Sequence, residues 1–486
     1  MKTIFIQTNR PQYLNDIGEE VRLFCGKTEI LPLTEDSRPE EDCLTIVAEV
    51  SQEEARICAF AEASGIREAS GFPCDDFSPL NVKRLEKRAV KVCVFRVLKR
   101  LLATETPWGS LTGIRPTKLF REISVRSGAA EAERAFREDF DVSEEKTALA
   151  KEITRVQHDV IAPVTERDID IYFNIPFCKT KCLYCSFPSE ILGQKCDKLS
   201  PYLEVLYRDI SQGAAMIREK GYRLRHMYIG GGTPTVLTAA QTEALLKHIV
   251  KEYGSLGREI TVEAGRPDTI DEEKLRVLSD FGVERISVNP QTMNDATLKS
   301  IGRTHTAQDI ADVYALARKI GFSSINMDVI CGLPGEGVAE FRRTLELISD
   351  LAPDNLTVHT LALKRSSRLL ERPDEYPLPE SGEVQEMIAL GLAAARGMGM
   401  VPYYMYRQKY MNGNLENVGY ALPDRICEYN IDMMEETTNI LAHGANAMSK
   451  RVFRNGERVE RIPNPKDIAT YASKLDTVLA QKSALF

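Results

Sequence analysis

The sequence predicts an α/β protein whose central portion is a parallel sheet of six strand–helix units, either open or partly closed as a barrel. Two observations predict it. From Asp168 onward, short β-branched and apolar runs alternate with patterns of three- and four-residue periodicity, the signature of β/α units. The text on either side has a different rhythm. It sets off an N-terminal α+β accessory domain over residues 1–165, a barrel over 166–400 and a C-terminal cap over 401–486. Six units fall short of the eight of a complete barrel.

In the N-terminal part, residues 44–50 read as a strand and residues 53–63 as a helix. From Asn81 to Gln157 charged and apolar residues recur at helical spacing, interrupted by turn residues between Trp108 and Pro116. In the barrel, strands are expected at 169–175, 225–229, 259–263, 285–289, 324–330 and 356–361. Helices are expected around 200–220, 239–253, 271–281, 307–320, 338–350 and 383–397. The tail places Tyr403, Tyr404, Tyr406 and Tyr410 beside Arg407 and Lys409, then scatters Gly and Asn as loop residues.

The 486 residues suit two or three domains, and a core of this size needs no disulfides. The net charge of −8 argues against a general nucleic-acid binder, which would be basic. No apolar run reaches the ~20 residues of a membrane span, and the start lacks the apolar core of a secretion signal. The expectation is a cytoplasmic monomer.

Of the 11 cysteines, most are scattered as buried small hydrophobes are. One cluster stands out: Cys178, Cys182 and Cys185, spaced C-x3-C-x2-C directly after the first barrel strand. Three thiolates on one short loop can ligate three irons of a [4Fe–4S] cluster, which normally takes four cysteines. The fourth iron then remains open to a cosubstrate. S-adenosylmethionine can fill that position through its amino and carboxylate groups, and its one-electron cleavage yields a 5′-deoxyadenosyl radical. A structural zinc site would take four ligands from two separated pairs, and there is no second pair. Cys196 is the nearest further thiol.

Gly230-Gly231-Gly232-Thr233-Pro234 follows the second barrel strand. It is no P-loop, because no Gly-Lys-Ser/Thr follows. Beside the cysteine loop it suits the amino group of the cosubstrate. Glu263, Gln291, Arg303 and Asp328 fall at later strand ends, where chemistry belongs in such folds. Glu263 or Asp328 can accept from ribose hydroxyls, and Arg303 can clamp a carboxylate.

Assembled, these residues resemble the oxygen-independent coproporphyrinogen III oxidase family of radical S-adenosylmethionine proteins, over residues 170–450. The family pattern stands here as Tyr172, Pro176, Phe177, Cys178, Cys182, Tyr184 and Cys185. It continues through Gly230–Pro234, Glu263, Gln291, Arg303 and Asp328-x3-Gly332-Leu333-Pro334. The HemZ branch is the closest in resemblance, through Leu111–Lys118, Glu263–Asp268 and Asn414–Tyr420.

The resemblance implies a partial (β/α)6 radical SAM barrel. It implies a [4Fe–4S] cluster on the three cysteines, and S-adenosylmethionine held by Tyr172, Tyr184, Gly230, Gly231, Gly232, Thr233, Glu263, Gln291, Arg303 and Asp328. The implied reaction oxidatively decarboxylates two propionates of coproporphyrinogen III to vinyl groups, giving protoporphyrinogen IX. Lys364, Arg365, Arg407 and Lys409 are candidates to meet the substrate carboxylates. No residue is assigned to the chemical step, and the electron donor and acceptor stay unnamed.

Two residues after Cys185 stands Phe187, where the well-studied oxidases have a further cysteine and heme-handling HemW-type proteins also have phenylalanine. The rival readings are therefore a heme-binding chaperone, with His443 or His359 as candidate ligands, and a radical enzyme acting on heme.

Overall fold

The structure is a computed structural model. It describes every residue except 1–2, 27, 36, 38–42, 114, 193–197, 365, 373–374, 409–414 and 454–457. The chain divides into two compact units, one of residues 1–151 and one of residues 152–412 with 416–486. Among the described residues no helix is long and apolar enough to cross a membrane.

The first unit is built on a five-stranded sheet of β1 (Thr3–Thr8), β2 (Glu29–Pro32), β3 (Leu44–Glu53), β4 (Arg56–Ala63) and β5 (Ile66–Pro73). Their order is β2-β1-β3-β4-β5. The long helix Pro79–Leu102 packs on β4 and β5. The helix expected over 53–63 is a strand. Its Ala and Glu content favours helix locally, but Ile57, Ala59, Ala61 and Ala63 are buried in strict alternation, and β3 pairs with it from Val47↔Glu62 to Glu53↔Arg56. Ser64 and Gly65, with φ of 50° and 78°, form the two-residue turn into β5. Positive φ at both positions is what a twisted hairpin requires.

The second unit contains β6 (Asp168–Ile175), then the two-residue pair β7 (Phe177–Cys178) and β8 (Glu190–Ile191). After these come β9 (Arg223–Gly231), β10 (Glu259–Gly265), β11 (Arg285–Val288), β12 (Ser324–Cys331) and β13 (Asn355–Thr360). Six expected strands are present as β6 and β9–β13, each with its expected helix: Leu199–Glu219, Ala239–Tyr253, Glu272–Asp280, Ala307–Ile320, Val338–Leu351 and Ser381–Gly397. β6 shows why the strands read as continuous apolar runs, since seven of its eight residues are buried.

The region after residue 400 is the one expected as a C-terminal cap. It supplies β14 (Val401–Tyr406), β15 (Asn417–Ala421), β16 (Asn439–His443), β17 (Met448–Phe453) and β18 (Arg458–Pro463) to the same sheet. The order is β14-β15-β13-β12-β11-β10-β9-β6-β16-β17-β18. β16 runs parallel to β6, from Asn439↔Ile169 to His443↔Phe173. It is a seventh parallel strand, and all five of its residues are buried.

One carboxylate ties this added strand to the barrel. Asp209, on helix Leu199–Glu219, is fully buried. It accepts hydrogen bonds from Lys482 Nζ (3.2 Å), Tyr471 Oη (2.7 Å) and the Gly444 N–H (3.1 Å), and lies 3.0 Å from His443 Nδ1. Burial alone would raise its pKa, but Lys482 and His443 hold it well below the usual carboxylate range. Replacing Asp209 with Ala strands a buried ammonium. The expected cost is about 3–5 kcal/mol, read as a lowered urea midpoint, with Asp209→Asn losing less.

Candidate active site

β6 delivers the chain to Pro176 and the cysteine loop. The base of the loop is closed by the β7–β8 pair, with Glu190 N–H to Pro176 O at 2.8 Å and Leu192 N–H to Cys178 O at 3.0 Å. Its middle is fastened to the segment after β11: Leu183 N–H bonds Ile301 O (2.9 Å) and Thr180 Oγ1 bonds Gly302 O (3.1 Å). Phe177 is buried edge-on against Tyr202. The three thiols thus sit on a loop held at both ends and at its centre.

Cys182 is buried, while Cys178 and Cys185 are half-buried. Thr233 Oγ1 stands 3.6 Å from Cys178 Sγ, and Arg266 Nη1 stands 3.9 Å from Cys182 Sγ. Burial raises the Cys185 thiol, and the neighbouring Cys182 and Cys178 raise it further. Burial would lower the Arg303 guanidinium, but Tyr184 and Cys182 outweigh it and raise it. Arg303 donates to Asn289 O (2.7 Å) and reaches Tyr184 Oη (3.4 Å), while its buried Nε has no hydrogen-bond partner. The donor set suits an iron–sulfur cluster: three thiols on one loop, with two buried guanidinium groups to offset the charge of thiolate-bound iron. Cys196 lies outside the described residues.

The glycine triplet has a packing reason. Gly231 has a φ of 113°, and a Cβ there would collide with Asn174; at Gly232 it would collide with the Phe177 carbonyl. The end of β9 therefore presses against β6 and the cysteine loop, with Gly232 N–H on Ile175 O (2.9 Å) and Thr233 N–H on Phe177 O (2.8 Å). Gly230 faces Glu263, whose Oε2 would lie 3.0 Å from an added Cβ.

Inside the strands lies a connected polar set. Tyr172, Tyr228 and Tyr429 stack in series, with centroids 6.1 and 4.7 Å apart. Tyr228 Oη donates to Glu263 Oε1 at 2.7 Å. Burial and, less strongly, Asp328 raise the Glu263 carboxyl to about 7 against the pull of the Tyr228 hydrogen bond. Asp328 moves the other way. Burial would raise it, but His359, Asn326 and Thr357 hold it below the ordinary value. Asp328 accepts from Asn326 Nδ2 (2.7 Å) and lies 3.7 Å from His359 Nε2, whose Nδ1 is 3.2 Å from Tyr406 Oη. Gln291 holds the left-handed region at φ 69°, pinned by its N–H on Asp328 O (2.9 Å) and by Ile330 N–H on its own carbonyl (3.0 Å).

Of the substrate candidates, Arg407 is buried directly after β14. Lys364 is half-buried, and burial lowers its ammonium pKa. Arg365 and Lys409 lie outside the described residues. His443 does not suit heme ligation: it is fully buried, with Nε2 2.6 Å from Tyr253 Oη and Nδ1 3.0 Å from Asp209 Oδ1. Arg266 has a place at the cysteine loop that the sequence did not assign to it, and His359 and Tyr406, expected as a heme ligand and as part of the tail, instead stand beside Asp328. Arg266 lies in the 263–268 stretch one turn beyond Glu263, and a cation just past a strand end was the available signal. Phe187 is 65 % exposed beside the cysteine loop.

The Radical SAM superfamily model matches residues 174–348. The chain is 37 % identical over 454 residues to the oxygen-independent coproporphyrinogen-III oxidase-like protein HemZ of Bacillus subtilis, covering 91 % of this chain and 90 % of that one. It is 38 % identical over 203 residues to the heme chaperone HemW of Lactococcus lactis, covering 41 % of this chain and 51 % of that one. The solved structure of coproporphyrinogen III oxidase (HemN) from Escherichia coli, described as a radical SAM enzyme, superimposes with a TM-score of 0.52. The identity there is 25 %, over 69 % of this chain and 73 % of that one. Radical SAM proteins carry a [4Fe–4S] cluster and use S-adenosylmethionine, and the cysteine loop and polar interior described above are of that kind. With a shared sequence running along nine-tenths of both chains, the protein belongs to the radical SAM superfamily, in the HemZ family of oxygen-independent coproporphyrinogen-III oxidase-like proteins.

Proposed function

We propose that the protein is a cytoplasmic coproporphyrinogen dehydrogenase that oxidatively decarboxylates two propionates of coproporphyrinogen III to vinyl groups. What carries this reading is the cysteine loop standing at the carboxyl end of a polar barrel interior in which Glu263, Asp328, His359 and four tyrosines lie close enough to position a cosubstrate and a substrate. When bound, the cluster and S-adenosylmethionine would supply a 5′-deoxyadenosyl radical able to take a hydrogen atom from the propionate β-carbon. The substrate then loses CO2 and one electron to a one-electron acceptor, leaving the vinyl group.

In this reading Cys178, Cys182 and Cys185 hold the cluster. Arg266 and Arg303 offset its charge, and Tyr184 helps position Arg303. The backbone of Gly230–Thr233 meets the amino end of S-adenosylmethionine. Tyr172, Glu263, Gln291 and Asp328 line the side of its ribose. Arg407 and Lys364 meet substrate carboxylates. The family kinship to heme chaperones supports a second reading, heme binding and transfer. With His443 fully buried and its Nε2 held by Tyr253, His359 is then the ligand to test.

Anaerobic incubation of reconstituted protein with coproporphyrinogen III, S-adenosylmethionine and a reductant should release CO2 and form vinyl products. Tight stoichiometric heme binding without either product would favour the chaperone reading. Cys182→Ala should lose the four-iron spectrum and S-adenosylmethionine cleavage; a variant that retained both would refute the cluster assignment. Glu263 is protonated below about pH 7 and ionised above it. S-adenosylmethionine should therefore bind more tightly as pH rises from 6 to 8. In Glu263→Gln, affinity at pH 8 should fall roughly tenfold or more and the pH dependence should vanish. An unchanged pH profile in the variant would remove Glu263 from the ribose site.

A further inference from the structure

At the amino-terminal end of the parallel strands, away from the cysteine loop, three side chains from three elements converge. They are Asp170 near the start of β6, His226 near the start of β9, and Asp432 in helix Glu428–Glu435. Asp170 and Asp432 are 0 % exposed and His226 is 1 % exposed. His226 Nδ1 lies 3.2 Å from Asp170 Oδ1 and 3.4 Å from Asp432 Oδ2. It has a hydrogen bond of acceptable geometry to neither, and Asp432 Oδ2 likewise accepts none, although Arg225 Nη2 stands 3.3 Å away.

The surroundings aim these atoms inward. Thr438 Oγ1 donates to Asp170 Oδ2 (2.7 Å) and Thr437 Oγ1 donates to Asp432 Oδ1 (2.6 Å), so each carboxylate has its outer oxygen held and its other oxygen turned toward Nδ1. The His226 backbone N–H also bonds Asp170 Oδ1, at 3.1 Å. On the far side of the ring, His226 Nε2 lies 3.1 Å from Glu428 Oε2. A carboxylate behind a metal-binding imidazole fixes its tautomer and orientation in this way.

We propose that Asp170, His226 and Asp432 form a structural site for a divalent transition-metal cation of the Zn2+ type. Ligand atoms around a tetrahedral ion with bonds of about 2.0–2.1 Å stand about 3.3 Å apart, which is the spacing of Nδ1 from both oxygens. Nδ1 lies between the two oxygens, with hydrogen-bond geometry to neither. Once the ion replaces the Nδ1 proton and the imidazole is neutral, Asp170, Asp432, Glu428 and Arg225 sum to −2, the charge that one divalent ion offsets. The ion would staple helix Glu428–Glu435 to the two barrel strands that carry the cysteine loop and the glycine triplet. The amino-terminal end of such a barrel is where stability residues belong, rather than catalytic ones.

The test uses the full chain with Cys178, Cys182 and Cys185 all changed to Ser, so that thiolates cannot capture the metal. After chelation and gel filtration, added Zn2+ should remain at one per chain by elemental analysis and raise the thermal midpoint by roughly 5 °C. Adding Asp432→Asn should abolish retention. Glu428→Gln, which alters a half-exposed residue, should weaken Zn2+ affinity about 10–100-fold while one equivalent still binds at saturation. The unaltered chain with its cluster reconstituted provides the second measurement, with one Zn2+ expected beyond the cluster iron. Equal Zn2+ retention with and without Asp432→Asn, or a midpoint indifferent to Zn2+, would overturn the proposal.

Discussion

Asn174 and Ile175 of β6 pair with Gly230 and Gly231 of β9, and the placement of the site rests on that register. The pairing carries the end of β9 up to the chain that leads into the cysteine loop. It is sterically possible only because Gly231 and Gly232 present no side chain to Asn174 and Phe177. A one-residue slip would invert every side chain of the strand, taking Tyr228 away from Glu263 and His226 away from Asp170. One register thus serves both the mouth of the barrel and its opposite end.

The charged groups are arranged by end. At the mouth, buried cations face thiols: Arg266 on Cys182, and Arg303 between Asn289 and Tyr184. Deeper in, two carboxylates in one interior are driven apart. Glu263 is raised to about 7 while Asp328, supported by His359 and Asn326, is held low. Such separation lets one group carry a proton at neutral pH while its neighbour stays ionised. At the opposite end the pattern changes to carboxylates around an imidazole, with hydroxyls of Thr437 and Thr438 fixing their outer oxygens.

The C-terminal region is part of the same sheet on both sides. β14 and β15 continue it beyond β13, and β16–β18 continue it beyond β6. Asp209 is the tie on the β6 side, because it collects Lys482, Tyr471, His443 and the Gly444 amide. This explains why His443 serves packing: its ring stacks on Phe173 at 5.5 Å, its Nε2 lies 2.6 Å from Tyr253 Oη and its Nδ1 3.0 Å from Asp209 Oδ1.

What the sequence by itself determined is the local and the covalent: six strand–helix units, their boundaries to within a few residues, the cysteine spacing, and polar residues at strand ends. These are legible because apolar periodicity and motif spacing are properties of short stretches. The misread 53–63 segment marks the limit, since an Ala- and Glu-rich run becomes a strand when β3 and β5 offer it partners on both sides. Only the tertiary structure decided the rest. Arg266 meets Cys182 across 84 residues, and Asp432 meets Asp170 and His226 across more than 200. β16 takes its place beside β6 from 271 residues away in register, as Asn439 reaches Asp168. Such pairings depend on which strands lie side by side in the folded sheet, and no window of sequence contains both partners.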